Sequence, residues 1–176
     1  IIHKGALLSH RFTVDGRVLD GRWTNGIISS NTEYYFKKDP KHTNYFGLTL
    51  DYGRDLIAER KLVLGGENGL RGYPRNLQEG DSRFLFTYEK RLYYDVHVMR
   101  LFYIANVVFF DIGRAWSRDD TYSNNQGVLK DIGVGLRLMS SKSGKNQVYH
   151  LDFAIPLDGN DALKTYQVTA TAESSF

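Results

Sequence analysis

The 176-residue sequence has no cysteine. That absence excludes disulfides and thiolate metal sites, and it fits many compartments, a periplasm or outer membrane among them. Proline is nearly missing, at three residues. No run of 18 apolar residues occurs, so a transmembrane helix is excluded, whereas a membrane β-strand needs only about 9–11 alternating residues. A mean hydropathy of −0.41 is therefore no argument against a membrane. Charge of one sign is lacking as well. The 23 basic and 20 acidic residues are interspersed, which predicts no nucleic-acid partner. Catalytic signatures are missing too: there is no G-x-S-x-G, H-E-x-x-H or P-loop. His3, His10, His42 and His97 are scattered, and His150 with Asp152 reads as a luminal hydrogen-bonded pair. The expectation is a non-enzymatic chain with neither cofactor nor metal. It opens Ile1-Ile2-His3, without Met or a signal-peptide pattern, and is read as a mature piece or fragment.

What is present is β. Twelve Tyr, ten Phe and 17 Gly accompany abundant Thr and Val. Period-2 alternation predicts eight strands and no helix. They fall at about 5–14, 22–37, 44–56, 82–95 and 98–116, then around 131–138, 149–155 and 166–176. Asp15-Gly16, Lys38-Asp39-Pro40-Lys41 and Asp95-Val96-His97 read as turns. One face of these strands is apolar. The other carries Arg11, Glu33, Asp51, Glu89, Arg91, Asp111, Arg137 and Asp152 in mid-strand. A soluble sandwich would place water-facing Lys and Thr there, whereas a closed barrel pairs such charges in its lumen. Turns are expected to be short after strands 2, 4 and 6 and longer after strands 1, 3 and 5, the outer-membrane pattern. Trp23, Trp116 and many strand-end Tyr residues fit interfacial girdles. The fold expected is a single all-β domain over 1–176, an antiparallel transmembrane β-barrel. A soluble sandwich or lipocalin-like barrel is the competing reading.

The stretch from Leu64 to Pro74 interrupts this pattern. Gly65, Gly66, Gly69 and Gly72 exclude a strand or helix interior, yet Arg71 and Tyr73 stand among them. That composition predicts an ordered loop, about 58–81, that delivers Arg71 to a partner. A solvated Gly-rich turn is the plainer alternative.

Gly65-Gly66-Glu67…Leu70-Arg71-Gly72-Tyr73 resembles the [V/L]-R-G-[F/Y] loop motif of the bacterial surface-antigen superfamily, the BamA- and TamA-like insertases and FhaC-like two-partner secretion transporters. Phe109-Phe110-Asp111-Ile112-Gly113 is similar to that family's F-x-D-x-G strand motif. Asp131 to Arg137 and Leu151 to Leu157 resemble its closing strands. Tyr166, Val168 and the terminal Phe176 resemble the C-terminal signal that outer-membrane barrels present to the assembly machinery. The resemblance runs from about residue 44 to the end. It implies an outer-membrane location, in a Gram-negative bacterium or derived organelle, and a role in protein insertion or translocation. It also implies an extracellular loop that folds inward so that Arg71 meets Asp111, with Glu89 sharing the luminal parity. Lipids, the assembly machinery, an unfolded client or a second barrel copy would be partners. Family barrels have about sixteen strands and usually preceding POTRA domains. The chain is therefore expected to be either a complete eight-stranded barrel or the C-terminal half of a larger one. A small structural or anchoring barrel is the alternative function.

Overall fold

The computed structural model describes residues 4–98, 101–117, 127–140, 146–158 and 165–175. Eight long strands form one antiparallel sheet in the order β1 (Gly5–Leu19), β2 (Arg22–Lys37), β3 (His42–Arg54), β6 (Ser82–Val98), β7 (Phe102–Trp116), β8 (Leu129–Ser140), β9 (Asn146–Pro156) and β10 (Gln167–Ser175). Between β3 and β6, the short strands β4 (Leu62–Leu64) and β5 (Gln78–Gly80) pair as a separate hairpin, with one 3-10 turn before it (Ala58–Arg60) and one inside it (Gly66–Asn68). The eight expected strands are the eight of the main sheet. The hairpin was not foreseen, because three residues show no alternation.

Strand alternation sorts side chains by face. On one face Phe12, Leu48, Leu50, Val108, Val134, Leu151 and Phe153 all stand exposed, Val134 at 54%. On the other, Asp51, Glu89, Asp111, Asp131, Arg137 and Asp152 are buried. This reverses the distribution of a water-soluble sheet. The sheet curls toward its charged face, since residues of β2 and β3 and residues of β9 and β10 line one cavity together with the loop.

Closure into a complete eight-stranded barrel, one of the two expected architectures, is not found. Among the described residues no pairing joins β1 to β10, and both remain edges. The segment between β3 and β6 folds into the concavity, packing on β6 and β7 and reaching β10. An eight-stranded ring leaves room for little beyond its own side chains, so this filling opposes closure.

The first connection also differs from expectation. Asp15-Gly16 is no turn: the β1–β2 register shifts there as a bulge, and a Cβ on Gly16 would collide with the Trp23 indole. The strand continues to Leu19, and the two-residue hairpin is Asp20-Gly21, both at positive φ (49° and 71°). The expected long loop after the first strand is therefore a tight turn. The expected turn at Asp95-Val96-His97 also lies inside a strand, where the β6–β7 register is irregular between Tyr93 and His97.

Gly21 meets nothing within 4 Å, so Gly21→Ala tests backbone strain alone. The expected cost is about 1 kcal/mol, read as a lowered denaturant midpoint with unchanged slope.

Candidate functional site

The loop is fixed first by its backbone. Gly65 (φ 123°), Gly66 (φ 59°) and Gly69 (φ 124°) occupy conformations that L side chains rarely adopt. Leu64, Leu70 and Tyr73 then pack with Ala115 and Leu129 as a small buried apolar cluster against the concave face. Gly113 lets the loop approach β7: a Cβ there would lie 3.1 Å from Leu64 Cδ2. Gln78 supports the hairpin, accepting from the Ala115 amide at 3.0 Å and donating to the Gly127 carbonyl at 2.8 Å.

These contacts deliver Arg71 into an ionic cluster. Its Nε and Nη2 donate to the two carboxylate oxygens of Asp111 at 2.8 and 2.9 Å, a forked pair. Nη1 donates to Glu89 at 2.7 Å and, at 3.4 Å, to Asp152. The guanidinium carbon sits 3.4 Å over the centre of the Phe109 ring. Burial works against the charge on Arg71, but the hydrogen bonds and charge of Asp111, then Glu89 and Asp152, outweigh it and raise the guanidinium pKa above its usual range.

The cluster continues around the wall. Arg91 Nε donates to Glu89 at 2.7 Å, and Arg137 pairs with Asp152 and, at 3.3 Å, with Glu89. Further along, Arg83 bridges Asp51 (2.8 Å) and the Val63 carbonyl (2.8 Å), tying a second arginine to the loop. Two more latches hold the loop beside Arg71. The Gly72 amide donates to Asp131 at 2.8 Å. The Tyr73 hydroxyl lies 2.8 Å from the Lys130 carbonyl and 3.1 Å from Asp158, either of which it can donate to. Burial, then the Asp158 charge, push the Tyr73 phenol up to about 12.

Arg71 thus meets both acids named for it, Asp111 and Glu89. Phe109 is its stacking surface, Gly113 its clearance, and Gly65, Gly66, Leu70, Gly72 and Tyr73 build the loop that carries it. Tyr166 and Val168 lie elsewhere: Val168 pairs with Phe153 and both are exposed on the apolar face, where Tyr166 stacks on Phe153 at 5.3 Å. Phe176 lies outside the described residues. Asp131, Asp158, Gln78 and the Asp51–Arg83 pair are loop partners that sequence reasoning did not single out as such. Parity with Asp111 was the available signal for Asp131.

The remaining space is a polar cavity of about 300 Å³ bounded by Arg71, Arg91, Glu33, Tyr45, His150 and Thr171. Among the described residues no group of acids and histidines is arranged to hold a metal ion. No family model, curated protein or solved structure matches the chain.

Arg71→Ala leaves Asp111 buried without its counter-charge and removes one of the three guanidiniums on Glu89, which costs about 3–5 kcal/mol in comparable sites. Arg71→Lys keeps the charge but loses the fork, so a smaller loss is expected; denaturant unfolding of both variants checks the ranking. For Tyr73 the folded phenol titrates above its ordinary value near 10. Its contribution is therefore complete below about pH 10 and is lost as pH rises through about 12. Tyr73→Phe should abolish that alkaline step, read from the pH dependence of loop proteolysis.

Proposed function

We propose that this chain is part of an outer-membrane β-barrel of the surface-antigen type, acting in protein insertion into or translocation across that membrane. The observation that carries the reading is the inverted distribution of its faces: a buried ionic concavity behind an exposed apolar face. Water gives no reason for that face, whereas lipid does, and strands can cross lipid only when their backbone groups are paired. The cross-strand aromatic rows agree with interfacial girdles. Tyr34, Phe46 and Tyr88 meet in series as tilted ring pairs near the β2–β3 turn, at 6.1 and 5.1 Å, and Phe84 meets Trp116 near the opposite end. Open β1 and β10 edges suit the C-terminal half of a sixteen-stranded barrel better than a complete small one. The seated 58–81 loop then acts as an extracellular segment folded into the lumen, with Arg71 as its lock. Work is done by strand pairing and bilayer distortion, without a chemical step. Bilayer lipids and, through β10, the assembly machinery are the partners, with an unfolded protein as client. A second reading, a structural or anchoring barrel, is favoured by one feature: the loop fills much of the concavity.

A charge on the apolar face separates lipid from water. Val134→Arg should cost about 2–4 kcal/mol if the face meets the bilayer interior, measured by folding into lipid vesicles. A soluble protein would tolerate it at this exposed position, and such tolerance would falsify the membrane reading. In planar bilayers, Arg71→Ala should raise the conductance if the loop gates a lumen. Silence in both forms favours the anchoring barrel.

A further inference from the structure

Asp111 and Asp131 face each other directly across the β7–β8 ladder, on the concave side, and neither exposes any surface. Directly opposed side chains lie close enough to interact, and like charges at such positions repel. Both oxygens of Asp111 are taken by the Arg71 fork. Asp131 uses Oδ2 to accept from the Gly72 amide, while its Oδ1, fully buried, has no donor. The residue directly opposite it across the ladder is Asp111.

The surroundings do not supply the missing positive charge. Four carboxyl groups meet here, Glu89 on β6, Asp111 on β7, Asp131 on β8 and Asp152 on β9. The guanidiniums among them are three: Arg71 from the loop, Arg91 on β6 and Arg137 on β8. Arg91 and Arg137 are engaged by Glu89 and Asp152. Glu33, Glu67 and His150 border the adjoining cavity, and Tyr73 and Asp158 lie past Gly72. Lys130 follows the alternation to the other face. No cluster suited to a metal ion exists among the described residues.

We infer that Asp131 carries a proton on Oδ1 and donates it to the Asp111 carboxylate, so that this carboxyl pair is a proton site beneath the loop. The proton removes the repulsion, gives Oδ1 a partner, and leaves Asp111 a single negative charge for Arg71. Losing the proton as pH rises places two opposed carboxylates under Arg71 and Gly72 and loosens the loop's seat. The arrangement makes loop release proton-linked. It concerns the same site as the proposed lock, but it does not require the chain to transport anything.

The test compares the native protein with Asp131→Asn, whose amide can accept from Gly72 and donate to Asp111 without a titratable proton. Each is held folded in detergent, or in buffer if none is needed. An infrared carbonyl band of a protonated buried carboxyl is expected in the native protein at neutral pH and not in Asp131→Asn. Its absence from the native protein, or its persistence in the variant, overturns the inference. Loop seating is read separately by thiol labelling of Leu70→Cys in both backgrounds, the chain being otherwise free of cysteine. The native-to-variant ratio of labelling rates cancels the reagent's own pH dependence. It should rise with pH, by up to about tenfold per unit, before Tyr73 begins to ionise. A flat ratio overturns the proton link. Should Leu70→Cys disturb the seat, cleavage of the Arg71–Gly72 bond gives the same ratio.

Discussion

One buried cation organises this structure. Arg71 sits at the end of a glycine-rich loop and touches acids from three strands, Glu89, Asp111 and Asp152, that are not all neighbours in the sheet. A buried ion pair is a weak source of net stability, because desolvation offsets most of the attraction. What it supplies is position. The fork to Asp111 fixes the guanidinium plane, and the Phe109 ring fixes its height above the wall. A seating without Arg71 would leave Asp111 without a counter-charge out of water.

The same arithmetic explains why the sheet is inside out. Charges are paired and buried at mid-strand on the concave face, and the opposite face is mostly Val, Leu, Ile, Phe and Tyr from β3 to β10. Soluble sheets avoid both features. The edges complete the picture: β1 is exposed along nearly its whole length on both faces, so the sheet in isolation has no partner for its outermost strand. A soluble protein with so long a free edge would be prone to edge-to-edge association.

Much of this was legible in the sequence. Alternation placed the eight strands and sorted their faces, because one apolar and one ionic face make the period-2 signal strong. The loop declared itself through glycines that no strand would tolerate. Illegible parts have physical reasons. Asp15-Gly16 and Asp20-Gly21 offer the same turn chemistry five residues apart. The first bulges, with the Trp23 indole packed against Gly16, and the second turns, a difference made by a contact outside the turn itself. Asp131 looks like one more luminal acid until the chain brings Gly72 to it. Closure depends on how much space the loop takes, a three-dimensional quantity with no local signature.

The spacing of the latch along the chain bears on how the molecule is made. Arg71 reaches Asp111 40 residues away and Asp152 81 residues away, and Gly72 meets Asp131 at a separation of 59. Contacts of that range pay their loop-closure entropy before they return anything. Until β7, β8 and β9 stand side by side, the arginine has no cradle, and its segment is a glycine-rich strand of chain in search of one. Its docking is therefore among the last events of folding, and a seated Arg71 records that the C-terminal strands have already paired in register.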